Sequence, residues 1–166
     1  MFDEVPRPKL NAVGMTSFDQ IAQLSGQAYL QAIMEGALPA PSMGVTMNAW
    51  LHRIEEGEVE FRGQASEAHL NPLGMVHGGW AMSMLDSALG CAVHSTCAVG
   101  EGMVSMDTSV KFIRPLTPKT GQVRCIATVV TRGRTIANSE GRIEDKNGKL
   151  IALGTSSCFI SKLPGA

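Results

Sequence analysis

The sequence predicts an α+β fold in which an antiparallel sheet wraps one long central helix. Three observations predict it. Residues 71–94 hold a turn, a glycine pair and then a run rich in Ala, Leu and Met, which reads as a helix. From residue 78 to residue 93 that run carries one ionisable carboxylate, Asp86, and is apolar on nearly every side, the mark of a helix enclosed by protein. On its N-terminal side lies a hairpin pattern, and on its C-terminal side a meander of strands.

Residues 1–15, with Pro6, Pro8 and Gly14 and few periodic apolar positions, read as an irregular arm. Ser17 can cap a helix beginning near Phe18, where Ile21, Leu24, Tyr29, Ile33 and Met34 give an approximate apolar stripe up to Gly36. Pro39 and Pro41 then end it, because proline fixes φ and restricts the residue before it. This helix is expected to cover the sheet or a pocket mouth. Two strands follow, 45–54 and 58–66, joined through Glu55-Glu56-Gly57; Val59, Phe61 and Gly63 alternate with Glu58, Glu60 and Arg62. After the helix come strands at 103–114, 121–131, 135–145 and 149–161, with Asn147-Gly148 as a two-residue hairpin turn. The expected division is an N-terminal arm and helix over 1–44, one domain over 45–162 and a tail over 163–166.

Composition narrows the function. With 166 residues, 44% of them hydrophobic, and a net charge of −1, the chain has an ordinary soluble, single-domain profile. No basic excess points to nucleic acid or to a membrane surface. The central run is too short and too interrupted by glycine to span a bilayer. The N-terminus lacks a basic region followed by an apolar one, so no secretory signal is expected. Cys91, Cys97, Cys125 and Cys158 have no metal-ligand spacing and read as buried thiols of a reducing cytoplasm.

Two features of the helix point to chemistry. Its start at Gly78 and Gly79 offers free backbone N–H groups and the positive dipole end to an oxygen gaining negative charge. Asp86 is either a structural carboxylate bonded to a neighbour or a working acid whose pKa burial raises. Gly78 and Asp86 are eight residues apart, about 12 Å along one helix at 1.5 Å per residue. Both cannot easily reach one carbonyl, so a shared site requires Asp86 from a second copy of the chain.

The pattern Asn-x5-His-Gly-Gly-x7-Asp, filled by Asn71, His77, Gly78, Gly79 and Asp86, resembles the hotdog-fold acyl-CoA thioesterases of the phenylacetate-degradation (PaaI-like) type. It is also similar to the Arthrobacter-type 4-hydroxybenzoyl-CoA thioesterase, which has Glu and Gln where this chain has Asp86 and Asn71. The resemblance covers roughly residues 40 to 162 and includes Val104-Ser105-Met106-Asp107, Phe112-Ile113-Arg114-Pro115 and Arg134-Thr135-Ile136-Ala137. It implies a hotdog fold, a homodimer with the site on its interface, and dimers paired again into a homotetramer.

The same resemblance implies roles. The N–H of Gly78 or its neighbour would polarise a thioester carbonyl, and Asp86 of the partner would activate water or attack directly. Asn71 would orient water or thioester, or serve only as a turn residue. His77 would contact substrate or bond backbone; Ser105 would hold the water or Asp86, or be simply a small strand residue. Arg114, Arg134 and Lys162 are candidates for the phosphates of coenzyme A, with Thr135 adding a hydroxyl. A small or aromatic acyl group is implied, with no metal or redox cofactor. The alternatives are a hotdog acyl-CoA hydratase using His77 and a non-catalytic acyl-CoA-binding module.

Overall fold

Alternation of apolar and polar residues along six segments lets each present one face to a common interior. The computed structural model describes residues 1–164, so 165 and 166 of the expected tail lie outside the described residues. Three short helices come first: α1 (Phe18–Ile21), α2 (Gly26–Met34) and α3 (Ser42–Met47). Strands β1 (Ala49–Glu55) and β2 (Glu58–Gly63) lead to the long helix α4 (Gly78–Ser95), and β3 (Glu101–Phe112), β4 (Val123–Arg132), β5 (Ile136–Asp145) and β6 (Leu150–Lys162) follow it. All neighbouring strands pair antiparallel in one six-stranded sheet of order β1-β2-β4-β5-β6-β3.

Helix α4 lies across one face of that sheet and touches all six strands. Met84, Leu85 and Leu89 are fully buried against inward residues of the sheet such as Val59, Val123, Cys125 and Ile143. This is the α+β hotdog arrangement the sequence predicts. The enclosure is incomplete on one side, however. Met82 and Asp86 are exposed and Ser83, Ser87 and Cys91 only half-buried, because the sheet covers the opposite stripe. The expectation of a buried Asp86 is therefore corrected for a single chain.

Three local differences have identifiable causes. The helix expected from Phe18 to Gly36 is broken in two, because Ser25 restarts it by accepting the Ala28 N–H with its side chain. The strand expected from Val45 begins at Ala49: residues 42–47 are helical, and Asn48 ends that helix in the left-handed region at φ 50. The boundary expected between 44 and 45 thus falls inside α3. The β5–β6 connection is a three-residue loop, with Asp145 N–H bonded to the Lys149 carbonyl and Gly148 at φ +78. A two-residue turn would need positive φ at Asn147 as well.

The N-terminal arm binds both sides of the sheet. Phe2 lies under the Arg62 guanidinium at 4.2 Å, on the face turned away from α4, where Arg62 also pairs with the buried Glu60. Val5 exchanges two hydrogen bonds with the Gln122 side chain, and Arg7 donates to Asn48 Oδ1 just before β1. Residues 9–18 then reach the helix side, where they help to wall a cavity over the open stripe of α4. No helix among the described residues is long and apolar enough to cross a membrane.

Candidate active site

The start of α4 is fixed by the turn before it. Asn71 Oδ1 accepts the N–H groups of Leu73 and Met75 at 2.9 and 3.1 Å, while Gly74 takes φ +77. The side-chain oxygen of Asn71 is thus committed to the turn, which leaves its amide nitrogen as the group that can face outward. Val76 N–H bonds to the Leu116 carbonyl and His77 N–H to the His69 carbonyl, which aims the chain into the helix.

His77 is the N-cap, and its Nδ1 accepts the Gly79 N–H at 2.9 Å. This corrects the expectation of two free glycine N–H groups, because the imidazole occupies one of them. In the neutral ring the proton then sits on Nε2, which points away from the cap as a donor. The Gly78 N–H has no acceptor among the described residues. A Cβ at Gly78 would lie 3.0 Å from Cζ of Phe112, so that exposed ring would have to give by a few tenths of an ångström.

About 12 Å along the same helix, Asp86 Oδ1 accepts the Thr108 hydroxyl at 2.7 Å. Thr108 is the functional candidate that sequence reasoning missed. Strict alternation from Met103 and Ser105, which both face Gly90 of α4, would send Asp107 inward next. A register shift between Ser105 and Asp107 inserts one residue, and the inward set becomes Thr108, Val110 and Phe112. Ser105 remains beside Asp86 and Ser87 on the cavity wall, without a hydrogen bond to Asp86.

One protomer therefore separates the two halves of the predicted site. Gly78 with His77 and Asn71 sits at the helix start, and Asp86 with Thr108 and Ser105 sits more than two turns away. The edge strand β3 pairs only with β6, and its Val104 and Met106 are 57% and 51% exposed.

The thioesterase superfamily model matches residues 73–152, the span from the turn before α4 into β6. Over those 80 of its 166 residues the chain is similar to the thioesterase superfamily. That similarity gives the class of reaction, hydrolysis of a thioester. The matched span contains Gly78, Asp86, Ser105 and Thr108, while Asn71 lies just before it. Among solved structures, the phenylacetic acid degradation-related protein of Ralstonia eutropha JMP134 is 29% identical, with a TM-score of 0.73, covering 79% of this chain and 98% of its own. A mutant form of the phenylacetic acid degradation protein PaaI from Thermus thermophilus is 25% identical with TM-score 0.64, covering 71% of this chain and 97% of its own. The Escherichia coli PaaI protein shares the fold at 20% identity and TM-score 0.71, covering 84% and 97%. No curated protein matches the sequence.

In this thioesterase the candidate coenzyme A residues do not form one cluster. Arg134 and Thr135 lie in the β4–β5 connection, and the Thr135 carbonyl accepts the Ile160 N–H, two residues before Lys162. Arg114 follows the opposite end of β3, about 36 Å away at 3.3 Å per residue, and its guanidinium donates to the Leu150 carbonyl at 2.6 Å. The three residues at one end are exposed and adjacent; Arg114 is spoken for elsewhere.

Burial disfavours the thiolate form at all four cysteines. Burial pushes Cys91 up to about 12, with the Asp86 charge adding to it, and pushes Cys97 up to about 11. Burial holds His94 below its ordinary value, and its Nε2 is enclosed with no partner among the described residues.

Proposed function

We propose that this thioesterase hydrolyses acyl-CoA thioesters to a carboxylic acid and free coenzyme A, at a site shared between two copies of the chain. The observation that carries the reading is the separation of the unclaimed Gly78 N–H from the Thr108-held Asp86 along one helix. Antiparallel pairing of two β3 edges brings a second α4 alongside the first, so each helix start meets the other's carboxylate. A long, exposed, apolar edge is what such pairing consumes. Two of these dimers pack again through the outer sheet face into a tetramer.

In this reading the thioester carbonyl oxygen points at the Gly78 N–H, where the helix dipole favours developing negative charge. His77 Nε2–H and the Asn71 amide nitrogen supply further donors at the same mouth. Thr108 holds one oxygen of Asp86, and the other takes a proton from water as that water attacks the carbonyl carbon. Ser105 orients that water. Collapse of the tetrahedral intermediate breaks the C–S bond, and the proton held on Asp86 passes to the departing thiolate. Direct attack by the carboxylate through a mixed anhydride is the competing route. Arg134 and Lys162, with the Thr135 hydroxyl, hold the phosphates of coenzyme A.

Free-thiol release from a panel of acyl-CoAs, run beside Asp86→Asn, tests the function. The variant is expected to lose at least about 10²-fold in kcat, the scale of a positioned general base. Unchanged turnover removes Asp86 from the chemistry. Hydration of an enoyl-CoA, or tight binding without hydrolysis, would replace the thioesterase reading by the hydratase or the binding module. Single-turnover hydrolysis in ¹⁸O-water, run beside hydroxylamine trapping, tests the two routes: label in Asp86 or a trapped acyl-Asp86 marks the anhydride, and label in the product acid alone with nothing trapped supports the general base.

A further inference from the structure

From Asp86 to His94 the open stripe of α4 lines a cavity rather than bare surface. A cavity of about 900 Å³ lies over it, walled by α4 on one side and by α2, α3 and residues 9–18 on the other. Along α4 the cavity runs from Asp86 past Cys91 to His94, and between these ends no charged residue of the helix enters it. Cys91 itself stays an uncharged thiol, since burial and the nearby Asp86 push it up to about 12. Opposite stand Ile33 and Met34 of α2, with Phe61 contributed by β2.

The two helices meet at the His94 end. The Gly26 N–H bonds to the Cys97 carbonyl at 2.9 Å, which seats the start of α2 on the end of α4. The Tyr29 ring lies 5.4 Å from the His94 ring between the two helices. The space is therefore a largely apolar cavity with the candidate carboxylate at one end and Arg7 and Lys9 in its outer wall, and its length selects what it holds. From Asp86 to His94 is about 12 Å along the helix axis. An extended chain of single bonds advances roughly 1.2 Å per bond, as the ~3.6 Å reach per residue over three backbone bonds implies.

We propose that the N-terminal segment builds an acyl slot for a chain of about eight to ten carbons. This deepens the thioesterase reading and rests on Asp86 marking the reacting end. It differs from the small or aromatic group that the family resemblance implies, because a benzoyl or phenylacetyl group leaves most of the slot's length unfilled. Apolar burial along the slot is the driving force, and each methylene that finds the wall adds to it.

The test compares kcat/KM across straight-chain acyl-CoAs from acetyl to palmitoyl, with benzoyl- and phenylacetyl-CoA, for the wild type, Ile33→Trp and Met34→Ala. The optimum is expected at octanoyl to decanoyl. Ile33→Trp should lower the decanoyl-to-butyryl ratio at least about tenfold, the discrimination an apolar pocket gives over a few methylenes. Met34→Ala should move the optimum to longer chains. A ratio cancels any loss of folded enzyme common to both substrates. An optimum at four carbons or fewer, an optimum on an aryl group, or a ratio unmoved by Ile33→Trp would overturn the proposal. Should no CoA thioester turn over, the thioesterase reading fails separately, and calorimetry with the free acids still decides the slot. Decanoate binding tighter than butyrate and phenylacetate, and lost in Ile33→Trp, supports it; equal or absent binding of all three overturns it.

Discussion

The Thr108 hydroxyl donates to Asp86 Oδ1 at 2.7 Å, from a strand position that only a β-bulge turns toward the helix. The bond fixes the plane of the carboxylate and leaves its second oxygen for water. Thr108→Val removes that restraint at nearly constant volume. We expect kcat to fall about ten- to a hundredfold, the worth of a hydrogen bond to a charged group, with KM little changed. Thr108→Ser should restore most of it. Equal kcat in the valine variant and wild type would mean that the carboxylate needs no holding.

Mixing subunits tests whether the site is shared. Asp86→Asn and Gly78→Pro each damage a different half, proline removing the N–H that alanine would keep at a first helical position that tolerates it. If a site takes its acid from one protomer and its helix start from the other, a mixed dimer has one intact site and one doubly altered site. Random exchange then gives mixed dimers in about half the population, and recovered activity of about one quarter of wild type. A site built within one protomer recovers nothing. Met106→Lys on the exposed β3 edge should meanwhile yield monomers of low activity, read by size-exclusion with light scattering.

Gly78 faces a steric limit as well as a chemical one. The Cβ of alanine would sit 3.0 Å from Phe112 Cζ, so the ring or the helix start must shift. The ring is 55% exposed and has room to move, and alanine is the better helix former, so Gly78→Ala should change stability by less than about 1 kcal/mol, read from denaturant midpoints. A larger loss, returned by adding Phe112→Leu, would show that the ring is held in place.

Acid stability should carry the signature of Glu144. Desolvation raises its pKa, but hydrogen bonds from Arg142 and Arg124 outweigh it and leave the folded-state value below the ordinary 4.5. A depressed carboxylate pKa stabilises the fold above the unfolded value and loses that stabilisation as pH falls through the folded value. Glu144→Gln is therefore expected to be less stable than wild type at neutral pH by about 1–2 kcal/mol. The two midpoints should converge as pH drops below 4.5, and a gap that stays constant well into the acid range would contradict the assignment.

Much of this molecule is legible before it folds. The helix from Gly78 and the strands at 58–63, 136–145 and 150–162 are set by local periodicity, and periodicity is written in consecutive residues. The motif holding Gly78 and Asp86 is visible for the same reason. Thr108 is not, because a bulge is decided by how β3 meets β6 and leaves no mark on β3 alone. Asp86 reads as buried because a run of Ala, Leu and Met does not say which stripe the sheet will leave open. The α3 helix is hidden by Val45 and Thr46, whose β-branched side chains suggest a strand, whereas Pro41 sets a helical start.

The arm that anchors Phe2 on the far side of the sheet and then rounds the β1 side acts as a strap over the slot's outer wall. Its buckle and its load are on opposite surfaces. Trimming the first residues from the amino end, up to and including Arg7, would release a wall that of those residues only Arg7 touches. Loss of the first seven residues therefore bears on the shape of the acyl slot proposed above.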